Sequence, residues 1–393
     1  MEIKPEIQTF ANIKIVGVGG SGGAAVNRMV ESQIKGVEFI SVNTDVQALH
    51  YSQANKKLHI GKTVTRGLGA GMDPEVGAKA AEESQNEIRD ILKNADMVFI
   101  TCGLGGGTGS GGAPVIAEIA RELGALTVAV VTKPFSFEGA QRKAIADKAW
   151  NKLAEKVDTI ITIQNDRLLQ IIDKKTSLLE AFSIVDDVLK HAIQGISELV
   201  TIPGLINVDF ADVKSIMKGQ GTALMGIGLA TGENRAVEAA KAAISSPLLE
   251  LSMDGAKGVL FIVAGGPQMS MHEVNESAKI ITASADSDAK IIFGAIVDEA
   301  LGDQIKLTVI ATGFESNALK NKEVRTKSFT PSEETTIYKP NQFLVEEVEK
   351  EKVENEKNKK KAKEDFKMSS SKKSPENSAE DLDIPAFIRK KMM

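Results

Sequence analysis

Three stretches of this chain bring together residue types that do chemistry. The first, Cys102-Gly103-Leu104-Gly105-Gly106-Gly107-Thr108-Gly109-Ser110-Gly111-Gly112, holds six glycines between positions 103 and 111. An apolar run at 97–100 precedes it and a helical pattern opening at Pro114 follows, so the order is strand, glycine turn, helix start. Glycine lets backbone approach a ligand closely, and the free N–H groups and dipole of a helix start favour phosphate oxygens. A P-loop would carry Lys-Ser/Thr after its last glycine, and no such pair occurs here. The second stretch, Gly17-x-Gly19-x-x-Gly22, has the spacing of a dinucleotide fingerprint, with Asp45 placed where a ribose-binding acid would stand. The third, Asn207-Val208-Asp209-Phe210-Ala211-Asp212-Val213-Lys214, sets two carboxylates on one side of a loop that enters a helix, with Asp209 at the cap.

The elements needed to position these groups alternate along the chain. Strands are expected at 12–19, 39–42, 96–101, 127–131 and 159–163, with helices over 75–92, 114–123 and about 139–156. Strands alternating with helices imply a doubly wound parallel sheet with ligands at the strand C-termini. Arg66-Gly67-Leu68-Gly69-Ala70-Gly71 adds a third glycine turn on that edge. Three such turns exceed what one pyrophosphate uses and suit a mononucleotide triphosphate held from several sides. Ser177 and Glu180 form a capping box for a long helix that stops at Pro203-Gly204. Capping for Asp209 and solvation for Asp212 would be the structural roles; if the helix, roughly 38 Å long at ~1.5 Å per residue, starts near the phosphate loops, both lie roughly 30 Å or more from the nucleotide of their own chain. They can reach a nucleotide only from a neighbouring subunit, in a head-to-tail contact that need not close and so makes filaments.

Beyond that helix the pattern becomes a smaller α+β unit, with strands at 222–230, 258–264, 290–297 and 306–311 and helices near 234–244 and 271–284. The expected domains are 1–176, the central helix 177–203, the α+β unit 204–314, a linker 315–380 and a terminal segment 381–393. The linker is almost wholly Glu, Lys and Asn over 346–363 and cannot bury a core; some 65 such residues reach about 45 Å. In the terminal segment Ile384, Phe387 and Ile388 share a helical face beside Arg389, Lys390 and Lys391, which reads as a tethered docking peptide.

Composition narrows the function classes. Apolar content of 42% supports cores, and aromatics at 4% leave packing to aliphatic side chains. A net charge of −5 argues against a general nucleic-acid binder. The single cysteine, Cys102, excludes a disulfide framework. No secretory h-region and no apolar run near the ~20 residues of a membrane span is present, so a cytoplasmic protein is expected.

Gly105-Gly106-Gly107-Thr108-Gly109-Ser110-Gly111 resembles the signature of the tubulin/FtsZ family, usually GGGTGTG, with Ser110 a mild departure. VGVGGSGG at 16–23, VNTD at 42–45, PFSFEG at 134–139, NVDFADVK at 207–214 and DIPAFIRKK at 383–391 extend the resemblance over 12–314 and the terminal peptide. It implies GTP and GDP held by Gly20, Ser21, Gly22, Gly23 and Ala24 and by Gly106, Gly107, Thr108 and Gly109. Glu138 and Arg142 would contact sugar or phosphates, while Asn165, Phe182 and Asp186 (or Asp187) would hold guanine. Mg²⁺ would be carried mainly by the nucleotide, without a protein metal site. Asp209 and Asp212 would complete hydrolysis in the adjacent subunit. The resemblance further implies a homopolymer forming the division ring at the inner face of the membrane, tied to membrane anchors and regulators through Asp383–Lys391. Ala24 stands where the family usually has Asn, Gln164 where it has Pro, and Met72-Asp73 alter the third turn. Two other readings compete: an NAD(P) oxidoreductase built on Gly17, Gly19, Gly22 and Asp45, and a GTP-binding scaffold without hydrolysis.

Overall fold

Every residue of the first strand, β1 (Ile13–Val18), is buried, as expected of a parallel strand covered on both faces. The computed structural model describes residues 11–169, 176–201, 205–206, 208–246 and 253–314. The linker and the terminal peptide therefore lie outside the described residues. Helix α1 (Gly19–Glu31) follows β1 directly, so most of the first glycine run is helix rather than loop. Next come β2 (Val37–Asn43), α2 (Val46–His50), β3 (Lys56–His59) and α3 (Lys62–Thr65).

The helix expected over 75–92 is two helices, α4 (Pro74–Glu83) and α5 (Gln85–Leu92). The break falls at Ser84, whose hydroxyl accepts from the Gly61 N–H at 3.3 Å. A serine that binds backbone elsewhere competes with its own helix. β4 (Met97–Gly103), α6 (Thr108–Glu122), β5 (Leu126–Lys133), α7 (Ala140–Ala154), β6 (Thr159–Gln164) and the short α8 (Asn165–Leu168) complete the first half. The six strands are parallel in the order β3-β2-β1-β4-β5-β6. Their core is aliphatic, built around Val16, Ile40, Ile100, Ile116 and Val131.

α9 (Leu178–Thr201) runs 24 residues, about 36 Å at the usual rise. Its capping box is formed: the Ser177 N–H donates to Glu180 at 2.8 Å, and the Glu180 N–H to the Ser177 hydroxyl at 3.2 Å. Val185, Leu189, Ile193 and Ile196 are buried along α9, whereas Phe182 near its start is 41% exposed.

α10 (Phe210–Met217), β7 (Gly221–Ala230), α11 (Arg235–Ile244), β8 (Gly258–Gly265), α12 (Met271–Ala283), β9 (Lys290–Val297) and β10 (Ile305–Thr312) follow. The α+β unit has its own core around Leu224, Ala240, Phe261, Val263 and Leu307, but not a separate sheet. β7 pairs in parallel with β6 from Thr159↔Gly221 to Ile161↔Ala223, then antiparallel with β10 along its length. The result is one ten-stranded sheet continuing β6-β7-β10-β8-β9. A strand shared by two units carries no marker in its own residues, which is why the sequence shows only two sets of strands.

Candidate nucleotide site

The parallel sheet reverses its winding between β1 and β4: β2 and β3 lie on one side, β5 and β6 on the other. A crevice opens beyond the strand C-termini at such a switch point. α1 and α6 both begin there, and no side chain caps either one, so their first N–H groups are available to an anion. The two starts touch: a Cβ placed on Gly19 would stand 3.0 Å from the Gly109 nitrogen. α6 opens at Thr108 rather than Pro114, which lies inside the helix. The donors at its first turn therefore belong to Thr108, Gly109 and Ser110. Small residues allow this early start, because α4 presses on α6 so closely that a Cβ on Gly111 would meet the Pro74 carbonyl oxygen at 1.9 Å.

The expected phosphate residues divide into two kinds. At Gly20 and Gly106 an added Cβ would meet nothing within 4 Å; both face open space. At Gly22 it would strike the Thr101 carbonyl at 2.4 Å, and at Gly107 it would strike Ala70 Cβ at 2.8 Å and Asp73 N at 2.9 Å. Gly22 and Gly107 thus let backbones pack. Ser21 is exposed and its hydroxyl lies over Gly103, where a Cβ would come within 2.6 Å of it. Gly23 sits beside the Ser41 hydroxyl, and Ala24 is exposed without a polar side chain.

Two hydroxyls organise the loop. Thr108 Oγ1 and Thr44 Oγ1 share a buried hydrogen bond of 2.6 Å, tying α6 to the end of β2. Ser110 Oγ accepts from the Gly105 N–H at 2.9 Å, also buried. The third glycine turn joins the same edge, its Gly69 N–H donating to the Thr44 carbonyl at 3.3 Å. Asp73 caps α4 by accepting from the Glu75 N–H at 2.9 Å. Asp45 caps α2, accepting from Gln47 and Ala48 at 2.8 and 3.3 Å, so the acid that a dinucleotide site would turn to ribose is held by its own backbone.

Across the crevice Glu138 accepts from the Phe135 N–H at 3.0 Å and pairs with Arg142 at 3.2 Å. Asp166 accepts from both the N–H and the hydroxyl of Ser136 at 2.8 Å, fixing the 134–139 loop from α8. Phe182 stands edge-on to buried Phe135, with ring centroids 5.5 Å apart. Asn165 is 5% exposed, and its side-chain oxygen Oδ1 is buried without a hydrogen-bond partner. A buried unpaired carbonyl is costly unless something completes it. One turn beyond Phe182, burial pushes the Asp186 carboxyl up to about 6, opposed by Arg28 and reinforced by Asp187. Cys102 is not a reactive group, since burial raises its thiol to about 12.

The Tubulin/FtsZ family GTPase-domain model matches residues 12–173, and the FtsZ family C-terminal-domain model matches 221–315. An FtsZ from M. jannaschii, described as an empty dimer, is 45% identical, with 79% of this chain and 90% of that one covered and a TM-score of 0.76. The chain belongs to the tubulin/FtsZ family. It is a GTPase that binds GTP and GDP. A point mutant of the M. jannaschii FtsZ matches with the same identity and TM-score, over 79% of this chain and 93% of that one. CetZ1 from Haloferax volcanii, solved as a GDP-bound monomer, shares the fold at 21% identity and a TM-score of 0.68, over 78% and 95% of the two chains.

Within this tubulin/FtsZ architecture, Asp209 and Asp212 stand apart from the crevice. α9 starts at the crevice with Phe182, beside Phe135, and ends at Thr201, which packs on Gly36 just before β2 begins. α10 is anchored at that opposite edge, where the hydroxyl of Thr159, the first residue of β6, donates to the Met217 carbonyl. A seven-residue strand such as β4 separates the two edges by about 23 Å. Both aspartates are exposed, and Asp209, at the cap position of α10, makes no capping hydrogen bond. Sequence reasoning missed Thr44, Arg28, Asp166 and the role of Ser110; only Thr44, inside VNTD, and Ser110, as a departure, carried any signal. Among the described residues no helix is long and apolar enough to cross a membrane.

Proposed function

We propose that this GTPase assembles head to tail and that Asp209 and Asp212 of one subunit complete the active site of the next, in a filament that forms the division ring. The observation that carries this reading is the placement of the two free carboxylates at the sheet edge opposite the phosphate loops. The M. jannaschii relative described as a dimer is consistent with self-association. Within one subunit, backbone N–H groups of α1 and α6 would bind the phosphates and Thr108 would hold its loop to β2. Glu138 and Arg142 would meet the ribose and phosphate side. Asn165, Phe182 and Asp186 would take guanine, the unpaired Asn165 oxygen receiving a donor from the base. Among the described residues no three His, Cys, Asp or Glu side chains gather as metal ligands, and Mg²⁺ prefers phosphate oxygens and water. The cation would travel with the triphosphate and neutralise charge that a P-loop lysine handles elsewhere. The Asp383–Lys391 peptide would dock membrane anchors and regulators, placing the filament at the inner membrane face.

Complementation tests the shared site. Asp212→Ala should bind GTP normally and hydrolyse it about 10²–10⁴-fold more slowly. Gly106→Val should lose GTP binding while keeping its own Asp212. Mixed, the two should recover phosphate release that neither shows alone. Co-sedimentation of the mixture without recovery would rule out catalysis across the contact.

A further inference from the structure

Arg28 lies on α1, one turn beyond Ala24 and on the same face. Its Nη1 donates to the Ser183 hydroxyl at 2.7 Å, and its Nε lies 3.5 Å from Asp186 Oδ2. That Nε is buried and makes no hydrogen bond. One guanidinium thus bridges the first phosphate helix to two successive turns of α9, beside Phe182. Asp186 is the more enclosed partner, with its side chain 18% exposed against 35% for Arg28.

We infer that Arg28 is a positioning residue for base selection, holding the Asp186 carboxylate ionised and aimed so that it accepts from both N1–H and the 2-amino group of guanine. This rests on the reading that Asp186 meets the base. Two acceptor oxygens are needed for that pair of donors, and a protonated carboxyl offers a donor in place of one of them. Burial favours the neutral carboxyl. The charges acting on Asp186 are Arg28 across the α1 contact, which favours ionisation, and Asp187 beside it, which opposes it. Asp187 is itself paired with Lys190 at 3.0 Å, and Asp166 of α8 is engaged with Ser136. Arg28 is therefore the cation that counters burial, and its fork geometry lets it hold Ser183 and Asp186 together.

The test uses the full chain with GDP and IDP, which differ only in the 2-amino group and avoid hydrolysis. The native protein should prefer GDP by about tenfold or more at pH 7, the scale of a hydrogen bond to a charged group. Arg28→Met should leave IDP binding nearly unchanged but weaken the preference at pH 7, with recovery as the pH is raised and Asp186 ionises. Arg28→Lys, which keeps the charge without the fork, should restore part of it at pH 7. Equal loss of GDP and IDP in Arg28→Met, with no recovery at higher pH, would show a purely structural bridge and overturn the inference. Asp186→Ala separates the two levels: if it kept the GDP preference, the placement of Asp186 at the base would fail, and the role of Arg28 with it.

Discussion

Gly106 and Gly107 are neighbours of one residue type in one motif, yet they do different work. A Cβ on Gly106 meets nothing, whereas one on Gly107 runs into Ala70 and Asp73. Gly106→Val should therefore fold with a near-native melting temperature and lose GTP in a fluorescent-nucleotide titration, because the branched side chain fills the space before α6. Gly107→Val should cost about 1–3 kcal/mol of stability by overpacking the third glycine turn, read as a lowered denaturation midpoint even without nucleotide. Near-normal GTP binding by Gly106→Val would remove the loop from the phosphate site. Ser110 gives a subtler contrast. Ser110→Ala leaves the buried Gly105 N–H without its acceptor, a loss of about 1–3 kcal/mol, while Ser110→Thr keeps the hydroxyl and should stay close to native in the same melt. The glycine count points to a phosphate site, but which glycines face open space depends on what α4 and the third turn bring against them. Residues far along the chain supply those contacts, so no local pattern shows them.

At the scale of elements, capping was legible and helix starts inside glycine runs were not. Ser177 with Glu180 forms the box the sequence marks, whereas Asp209 takes the cap position of α10 without making a capping hydrogen bond. Gly19 and Thr108 begin helices in segments whose intrinsic preference is loop, because packing of α1 on β1 and of α6 on α4 overrides a cost of about 1 kcal/mol per glycine. α12 shows a cap strengthened by a long-range partner. Glu273 accepts from the Ser270 N–H at 2.8 Å and from Arg235 Nε at 2.6 Å. The Arg235 bond, ahead of the Ser270 contacts, pulls its carboxyl down from 4.5 to about 2. A depressed carboxyl stabilises the fold fully above its unfolded value and loses that contribution as pH falls from about 4.5 towards 2. Glu273→Gln should thus destabilise by about 1–3 kcal/mol at pH 7, with the difference from native shrinking through that window in urea titrations. A gap that stays constant down to pH 2 would assign the loss to packing instead.

For the whole molecule, the doubly wound half follows from alternating strands and helices, but its union with the α+β unit through β7 does not. That union bears on where the chain can be cut. β10 closes the sheet between β7 and β8, and its last residue, Thr312, donates its hydroxyl to the Ile216 carbonyl at 3.0 Å. The ring of Phe314 then packs on the core formed by Leu224, Phe261 and Leu307. Among the described residues, the core thus takes in Phe314. A chain ending at Phe314 should bind GTP with native affinity, hydrolyse it at a rate per molecule that rises with protein concentration, and lose recruitment to anchored partners. Ending at Gly313 removes an apolar ring from the surface of a core, which should lower the denaturation midpoint by the equivalent of about 1–2 kcal/mol, since the ring is only partly buried there, and leave nucleotide affinity unchanged. The two truncations separate the fold from the tether. If the chain ending at Phe314 failed to bind nucleotide, residues beyond 314 would belong to the GTPase itself. If it bound and hydrolysed GTP at a rate independent of concentration, the linker would be needed for the subunit contact that Asp209 and Asp212 are proposed to complete.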